Sequence, residues 1–160
     1  MTNNKTSPRA LFKSFAFAEA VTWTLLLGGL AYRALFGMEQ LVLTVIGGLH
    51  GLVFLGYAVT ASLVGVNQRW GLMRTVSAVA LAIVPFATVP FELSVDRKGG
   101  LAGVWRTEAS AHKGDTGWFD SLFRWFIKRP ALLIITMLLI VSAIFAALLV
   151  IGPPGGWPKD

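Results

Sequence analysis

The sequence predicts an all-α protein: a polytopic transmembrane helical bundle of four spans, with a three-helix core followed by a C-terminal fourth helix. Three observations predict it. First, the 160 residues are 55% hydrophobic and only 14% charged, with a mean hydropathy of +0.67. Soluble domains average about 25% charged residues, and a domain this small needs a polar skin. Second, four apolar stretches, residues 14–36, 41–65, 75–93 and 130–152, each match the length of about 20 residues that a helix needs to cross a bilayer. Third, only Glu19, Arg33 and Glu92 among the charged residues fall inside those stretches. In lipid every backbone polar group needs an internal partner, so runs of this length read as helices.

Residues 1–10 form a polar N-terminal tail, and residues 11–95 hold the first three spans. Lys5, Arg9 and Lys13 resemble the basic start of a signal peptide. The apolar run that follows is too long for one, carries Glu19 and lacks a small-residue cleavage site, so a retained helix is expected. The tight turn Gly37-Met38-Glu39-Gln40 predicts an antiparallel hairpin of the first two spans. The loop 66–74 is short and basic, with Trp70 as an interfacial anchor. Pro85 and Pro90 are expected to kink the third span, since each lacks an amide donor.

Residues 96–129 form a polar loop that contains an amphipathic segment. Phe119, Leu122, Phe123 and Phe126 recur there at helical spacing, while Asp120, Arg124 and Lys128 lie elsewhere on the wheel. This is the pattern of a helix lying in the interface, and equally of a short extension of the fourth span. That span, 130–152, offers Ala143 and Ala147 as small packing positions. The tail, 153–160, is rich in Pro and Gly and should leave the membrane at once.

The formal charge is +6, but the basic residues cluster beside the apolar spans, where they anchor to headgroups and set topology. Nucleic acid is therefore not an expected partner. The lipid bilayer is, together with other membrane proteins or further copies of the chain. Cysteine is absent, which removes disulfides, thiolate metal sites and cysteine nucleophiles. Counted over four crossings, six basic residues fall on one side and eight on the other, so the positive-inside rule barely decides. The basic flank of the first helix favours cytoplasmic termini.

Leu11-Phe12-Lys13-Ser14-Phe15-Ala16-Phe17-Ala18-Glu19-Ala20 opens a longer pattern. It continues through Gly47-Gly48-Leu49-His50-Gly51-Leu52-Val53-Phe54-Leu55-Gly56-Tyr57 and Trp70-Gly71-Leu72-Met73-Arg74 to Val84-Pro85-Phe86-Ala87-Thr88-Val89-Pro90-Phe91-Glu92. This order resembles an uncharacterised integral membrane family of actinobacteria with a His-Gly motif in its second helix, a domain of unknown function. The resemblance implies three spans over roughly residues 10–95 and a bacterial plasma-membrane location, multi-pass. It brings no activity. Residues 96–160 depart from it, so the fourth span reads as an addition.

The candidate intramembrane polar site is Glu19, His50, Tyr57 and Glu92. Charged groups in hydrocarbon are costly and should face protein or water. Glu19 reads as a protonatable or cation-binding group, or as a carboxyl paired toward the near surface. His50 reads as an interhelical hydrogen-bonding group, a proton relay, or a ligand to metal or haem. Gly47 and Gly51 flank it with the spacing that lets a neighbouring helix approach. In a straight hairpin Glu19 and His50 differ in depth by about 8 Å, within reach of one bridging water. His112, the other histidine, falls in the long loop. No catalytic constellation, phosphate loop, cofactor motif or metal-ligand spacing is visible. The sequence thus predicts a non-enzymatic accessory or assembly component of a larger membrane complex. The alternative is a minimal proton-linked transporter or channel using Glu19 and His50.

Overall fold

The computed structural model describes residues 7–109 and 117–151. The expected polar N-terminal tail lies largely outside the described residues, as do His112 and the tail 153–160. All regular structure among the described residues is helical: α1 (Pro8–Phe36), α2 (Gln40–Asn67), α3 (Leu72–Ala80), a 3-10 turn (Leu81–Ile83), α4 (Thr88–Arg97), α5 (Trp118–Ile127) and α6 (Pro130–Ile151). The chain divides into two units, 1–105 and 106–160.

Helix α1 starts where the Ser7 hydroxyl accepts from the Ala10 amide at 3.1 Å and Pro8 supplies a pre-set first residue. It ends at Gly37, whose φ of +77° suits glycine and whose amide bonds the Arg33 carbonyl. Only Met38 and Glu39 then separate Gly37 from α2, which returns antiparallel, as expected. The register is fixed by contacts along the pair. A Cβ on Gly29 would meet Leu43 and Ile46, and one on Gly56 would fall 2.5 Å from the Phe15 ring. Helix α1 buries Pro8, Phe12, Ala16, Glu19, Thr22 and Gly29, a stripe at helical spacing. Its other faces expose Phe17, Val21, Leu25 and Leu30. That is the division expected of a helix with lipid outside and protein inside. Both α1 and α2 are long and apolar enough to cross a membrane.

The expected third span over 75–93 is not one helix. Helix α3 runs from the Trp70 end into the 3-10 turn, and the chain breaks at Val84–Ala87. Pro85 cannot donate, the Val84 amide turns back to the Leu81 carbonyl (3.1 Å), and Phe86 takes a φ of +64°. Helix α4 then returns to the end from which α3 set out. Pro90 is its third residue, where a missing amide costs nothing, so it does not act as the interior kink the sequence suggested.

Contacts with α1 record the return. Trp23 Nε1 donates to the Ala82 carbonyl (3.2 Å), Thr88 Oγ1 to the Ala16 carbonyl (3.2 Å), and Arg9 pairs with Asp96 at 2.7 Å. Trp70 closes the same end. Its ring lies 5.7 Å from Phe12 and 6.3 Å from Phe91, and its indole donates to the Gly100 carbonyl at 2.9 Å. The core of this unit therefore gathers at one end, around Phe12, Tyr57, Val64, Trp70, Val95 and Leu101.

In the second unit, α5 and α6 bend by 108° at the break between them, so α5 does not continue the last helix. Pro130 opens α6. Arg106 pairs with Asp120 at 3.1 Å, and Arg129 stacks over Trp125 at 4.5 Å. Ala143 and Ala147, expected as packing positions, are exposed. Among the described residues, two helices pass the length and hydropathy test for crossing a membrane, or three if the bent α5–α6 pair counts as one span.

Candidate functional site

Polar side chains from α1, α2 and α4 enter the interior of the first unit. Helix α1 supplies Glu19 and Thr22, three residues apart and therefore on one face. Helix α2 supplies His50 and, two turns on, Tyr57; α4 supplies Thr88 and Glu92, one turn apart. Glu19 and Tyr57 are fully buried and Glu92 is 2% exposed.

The hairpin register sets His50 beside Thr22. Thr22 Oγ1 lies 3.0 Å from His50 Nδ1 and 3.1 Å from the Glu19 carbonyl. Glu19 begins less than one turn away, and its longer side chain brings Oε2 to 3.8 Å from the same Nδ1. The depth gap foreseen from span boundaries closes for a simple reason. The stagger of the pair, seen where Gly29 faces Leu43 and Ile46 and Gly56 faces Phe15, sets Thr22 level with His50, and the longer Glu19 side chain spans the remaining distance. Trp23 covers the other side of the imidazole, with ring centroids 4.5 Å apart and planes inclined by 57°. The same indole holds the Ala82 carbonyl. Pro85, three residues on, has no N–H to offer that carbonyl. The break in the 72–97 hairpin is thereby tied to the histidine's neighbour.

A hydroxyl has one proton to give. When Thr22 gives it to the Glu19 carbonyl, His50 Nδ1 is the donor toward Thr22 and Nε2 carries the lone pair. Glu19 and His50 can also share one proton. With the lone pair on Nδ1 instead, a neutral imidazole beside a carboxylic acid and an imidazolium beside a carboxylate have the same net charge, so proton transfer between them leaves the net charge of the pair unchanged.

Both Glu19 carboxyl oxygens, the Tyr57 hydroxyl and Glu92 Oε1 are buried without a hydrogen-bond partner. The Tyr57 hydroxyl lies within electrostatic reach of both carboxyls. Buried polar atoms in native proteins nearly always have partners, so these are places for a proton or water. Among the described residues, no three His, Cys, Asp or Glu side chains are placed to hold a metal ion.

The structure thus brings Glu19 and His50 together and buries Tyr57 and Glu92 in the same unit. Gly47 faces open space, whereas the tight approaches within α2 occur at Gly56, against Phe15, and at Gly65, where a Cβ would fall 2.6 Å from Thr75 Oγ1. Gly51 is half-buried in α2, next to His50. The Trp23 clamp, the Thr88 bond and the Arg9–Asp96 pair are not visible in the sequence. The first depends on the 3-10 turn before the break and the other two on the return of α4, neither of which hydropathy reports.

A family model described as a domain of unknown function, DUF3817, matches residues 9–97. A Streptomyces coelicolor protein whose name describes it as a membrane protein, SCO5905, is 35% identical over 91 residues. The match covers 56% of this chain but only 11% of that protein, so this chain corresponds to a small part of a much longer relative. No solved structure matches.

Proposed function

The chain belongs to the DUF3817 family of domains of unknown function, and from that premise we propose that it is an accessory module of a bacterial plasma membrane. On this reading it acts through a larger membrane protein and performs no catalytic step of its own. The observation that carries the reading is the relative in which the same region makes up 11% of a long chain named as a membrane protein. A module found inside a larger membrane protein there is a natural companion of one here. In this reading α1 and α2 cross the bilayer, the 72–97 hairpin enters and leaves by one face, and α6 adds a third crossing. The test is purification at native abundance in mild detergent after photocrosslinking from α2. The expected result is one membrane protein recovered in fixed ratio; a chain that crosslinks only to lipid sinks the reading.

A second reading is favoured by a different observation, the 3.8 Å contact of Glu19 with His50 among buried oxygens that lack partners. It makes the chain a minimal proton-linked transporter or channel. Proteoliposomes carrying a pH-sensitive dye should then show proton flux that Glu19→Gln abolishes. Flux equal to that of empty vesicles removes this reading and leaves the first standing.

A further inference from the structure

Helix α5 in the second unit has one side engaged and one side open. Asp120 pairs with Arg106 at 3.1 Å, and the same guanidinium lies over the Phe123 ring at 5.7 Å, where Phe123 is buried. On the other side Trp118, Leu122 and Trp125 are 78%, 44% and 43% exposed. Spaced four and three residues apart, they form one apolar stripe along the helix. Such a stripe is unfavourable in water and calls for an apolar cover.

The surroundings define that cover. Helix α6 turns away from α5 by 108° and carries no charged residue over its 22 residues. A helix near a right angle to a bilayer-crossing one runs close to the membrane plane. Only Lys128 and Arg129 separate α5 from Pro130, and both are exposed. Arg129 stacks on the Trp125 ring at 4.5 Å and donates to its carbonyl at 3.5 Å, which holds the guanidinium beside the stripe. Tryptophan collects where acyl chains give way to headgroups, because its ring is apolar and its N–H polar. Lysine and arginine at that depth reach lipid phosphates. Asp120, the one acidic residue of α5, is held by Arg106 away from the stripe.

We propose that α5 lies in the membrane–water interface and docks on an acidic phospholipid surface. Trp118, Leu122 and Trp125 enter the upper acyl region, and Lys128 and Arg129 meet the headgroup phosphates. The proposal rests on the reading of α6 as a crossing helix and adds a second, in-plane contact with lipid. Because the stripe ends at the corner from which α6 departs, the bilayer that α6 enters is already at hand to cover it. A zwitterionic headgroup answers the two basic charges less well, because it brings a cation of its own to that corner.

The experiment uses the full chain, which has no cysteine of its own, in vesicles of phosphatidylcholine with a minority of phosphatidylglycerol. Spin labels are placed singly at Leu122→Cys, Ser121→Cys and Ile140→Cys. Access to dissolved oxygen and to a water-soluble nickel chelate is then measured. Ser121 and Leu122 are about 100° apart on the helix, so they separate a lipid-facing stripe from a uniformly wet or uniformly buried segment. The Leu122→Cys label should be open to oxygen and shielded from nickel. The Ser121→Cys label should be open to nickel, and the Ile140→Cys label, within α6, shielded from it. Removing the phosphatidylglycerol should raise nickel access at Leu122→Cys, and so should Lys128→Gln with Arg129→Gln in the acidic vesicles. Each basic charge should shift the ratio of docked to undocked α5 about fivefold. Nickel access at Leu122→Cys with Ile140→Cys shielded overturns the docking and leaves the crossing standing. Nickel access at Ile140→Cys removes the crossing and the proposal with it. An immobilised Leu122→Cys label shielded from both reagents puts protein on the stripe, a second copy or another chain, and overturns the lipid claim. Equal shielding in neutral and acidic vesicles overturns the preference for acidic lipid.

Discussion

His50 touches three side chains that each do a different job. Thr22 fixes its Nδ1, Glu19 supplies a charge or a proton at 3.8 Å, and Trp23 covers its ring. Side chains this close are expected to be energetically coupled, unlike residues more than about 7 Å apart. In a double-mutant cycle on thermal stability, Glu19→Gln and His50→Gln should therefore deviate from additivity by more than about 0.5 kcal/mol. Additive effects would mean two independent polar groups and would leave the shared-proton chemistry without support. Trp23→Phe is a sharper probe, because it keeps a ring over the imidazole and deletes only the N–H bound to the Ala82 carbonyl. Leaving that carbonyl unpaired should cost about 1–3 kcal/mol; an unchanged melting temperature would show that the indole bond does not hold the hairpin break. At this scale much of the site was legible. A Glu and a His stranded in apolar runs announce themselves by cost alone. Their contact was not legible, because a depth estimate made from span boundaries carries an error of a turn or more, which is the whole of the gap.

At the scale of elements, small residues mark helix contacts only where the register brings a neighbour. Gly47 and Gly51 have the expected spacing, yet Gly47 meets open space, while Gly56 and Gly65 meet Phe15 and Thr75. The two outcomes can be set against each other. Gly47→Ala adds a good helix former without a clash and should stabilise α2 by up to about 1 kcal/mol. Gly65→Ala places a methyl 2.6–3.3 Å from three atoms of a stiff β-branched side chain, and should destabilise by about 1–3 kcal/mol. A melting series in which both changes have the same sign would contradict this register of α2 against α3. The long helices were readable because hydropathy over 20 residues is a strong signal. The 72–97 segment was not, because its apolar length matches one crossing just as well as an inward and an outward leg. A local signal is present in Pro85 and Pro90, five positions apart with Phe86, Ala87, Thr88 and Val89 between them. Each has the form of a kink in a single span, but the second sits where a helix begins.

For the whole molecule, the fold-back changes which charges share a side of the membrane. Helix α3 with its 3-10 turn rises about 20 Å and α4 about 15 Å, both short of a hydrocarbon core roughly 30 Å thick. Within the first unit Arg9, Lys13, Arg69, Arg74, Arg97 and Lys98 then gather at one end of the α1–α2 pair, and Arg33 stands at the other, bonded to Gln40. Among these seven residues of the first unit the division is six against one. On the proposed membrane reading, the positive-inside rule predicts a cytoplasmic Arg9 end. The natural absence of cysteine makes the test direct, since single cysteines can be introduced without removing any. Glu39→Cys reports the hairpin turn, Gly71→Cys the loop before α3, and Val104→Cys the segment after α4; all three positions are exposed. In intact cells a membrane-impermeant thiol reagent should label Glu39→Cys alone, and Gly71→Cys and Val104→Cys only after lysis. If residues 72–97 made a true crossing, Val104→Cys would label with Glu39→Cys and against Gly71→Cys. If the reagent reached Gly71→Cys and Val104→Cys but not Glu39→Cys, the fold-back would stand and the orientation would be reversed, meaning that charge does not set the topology of this chain.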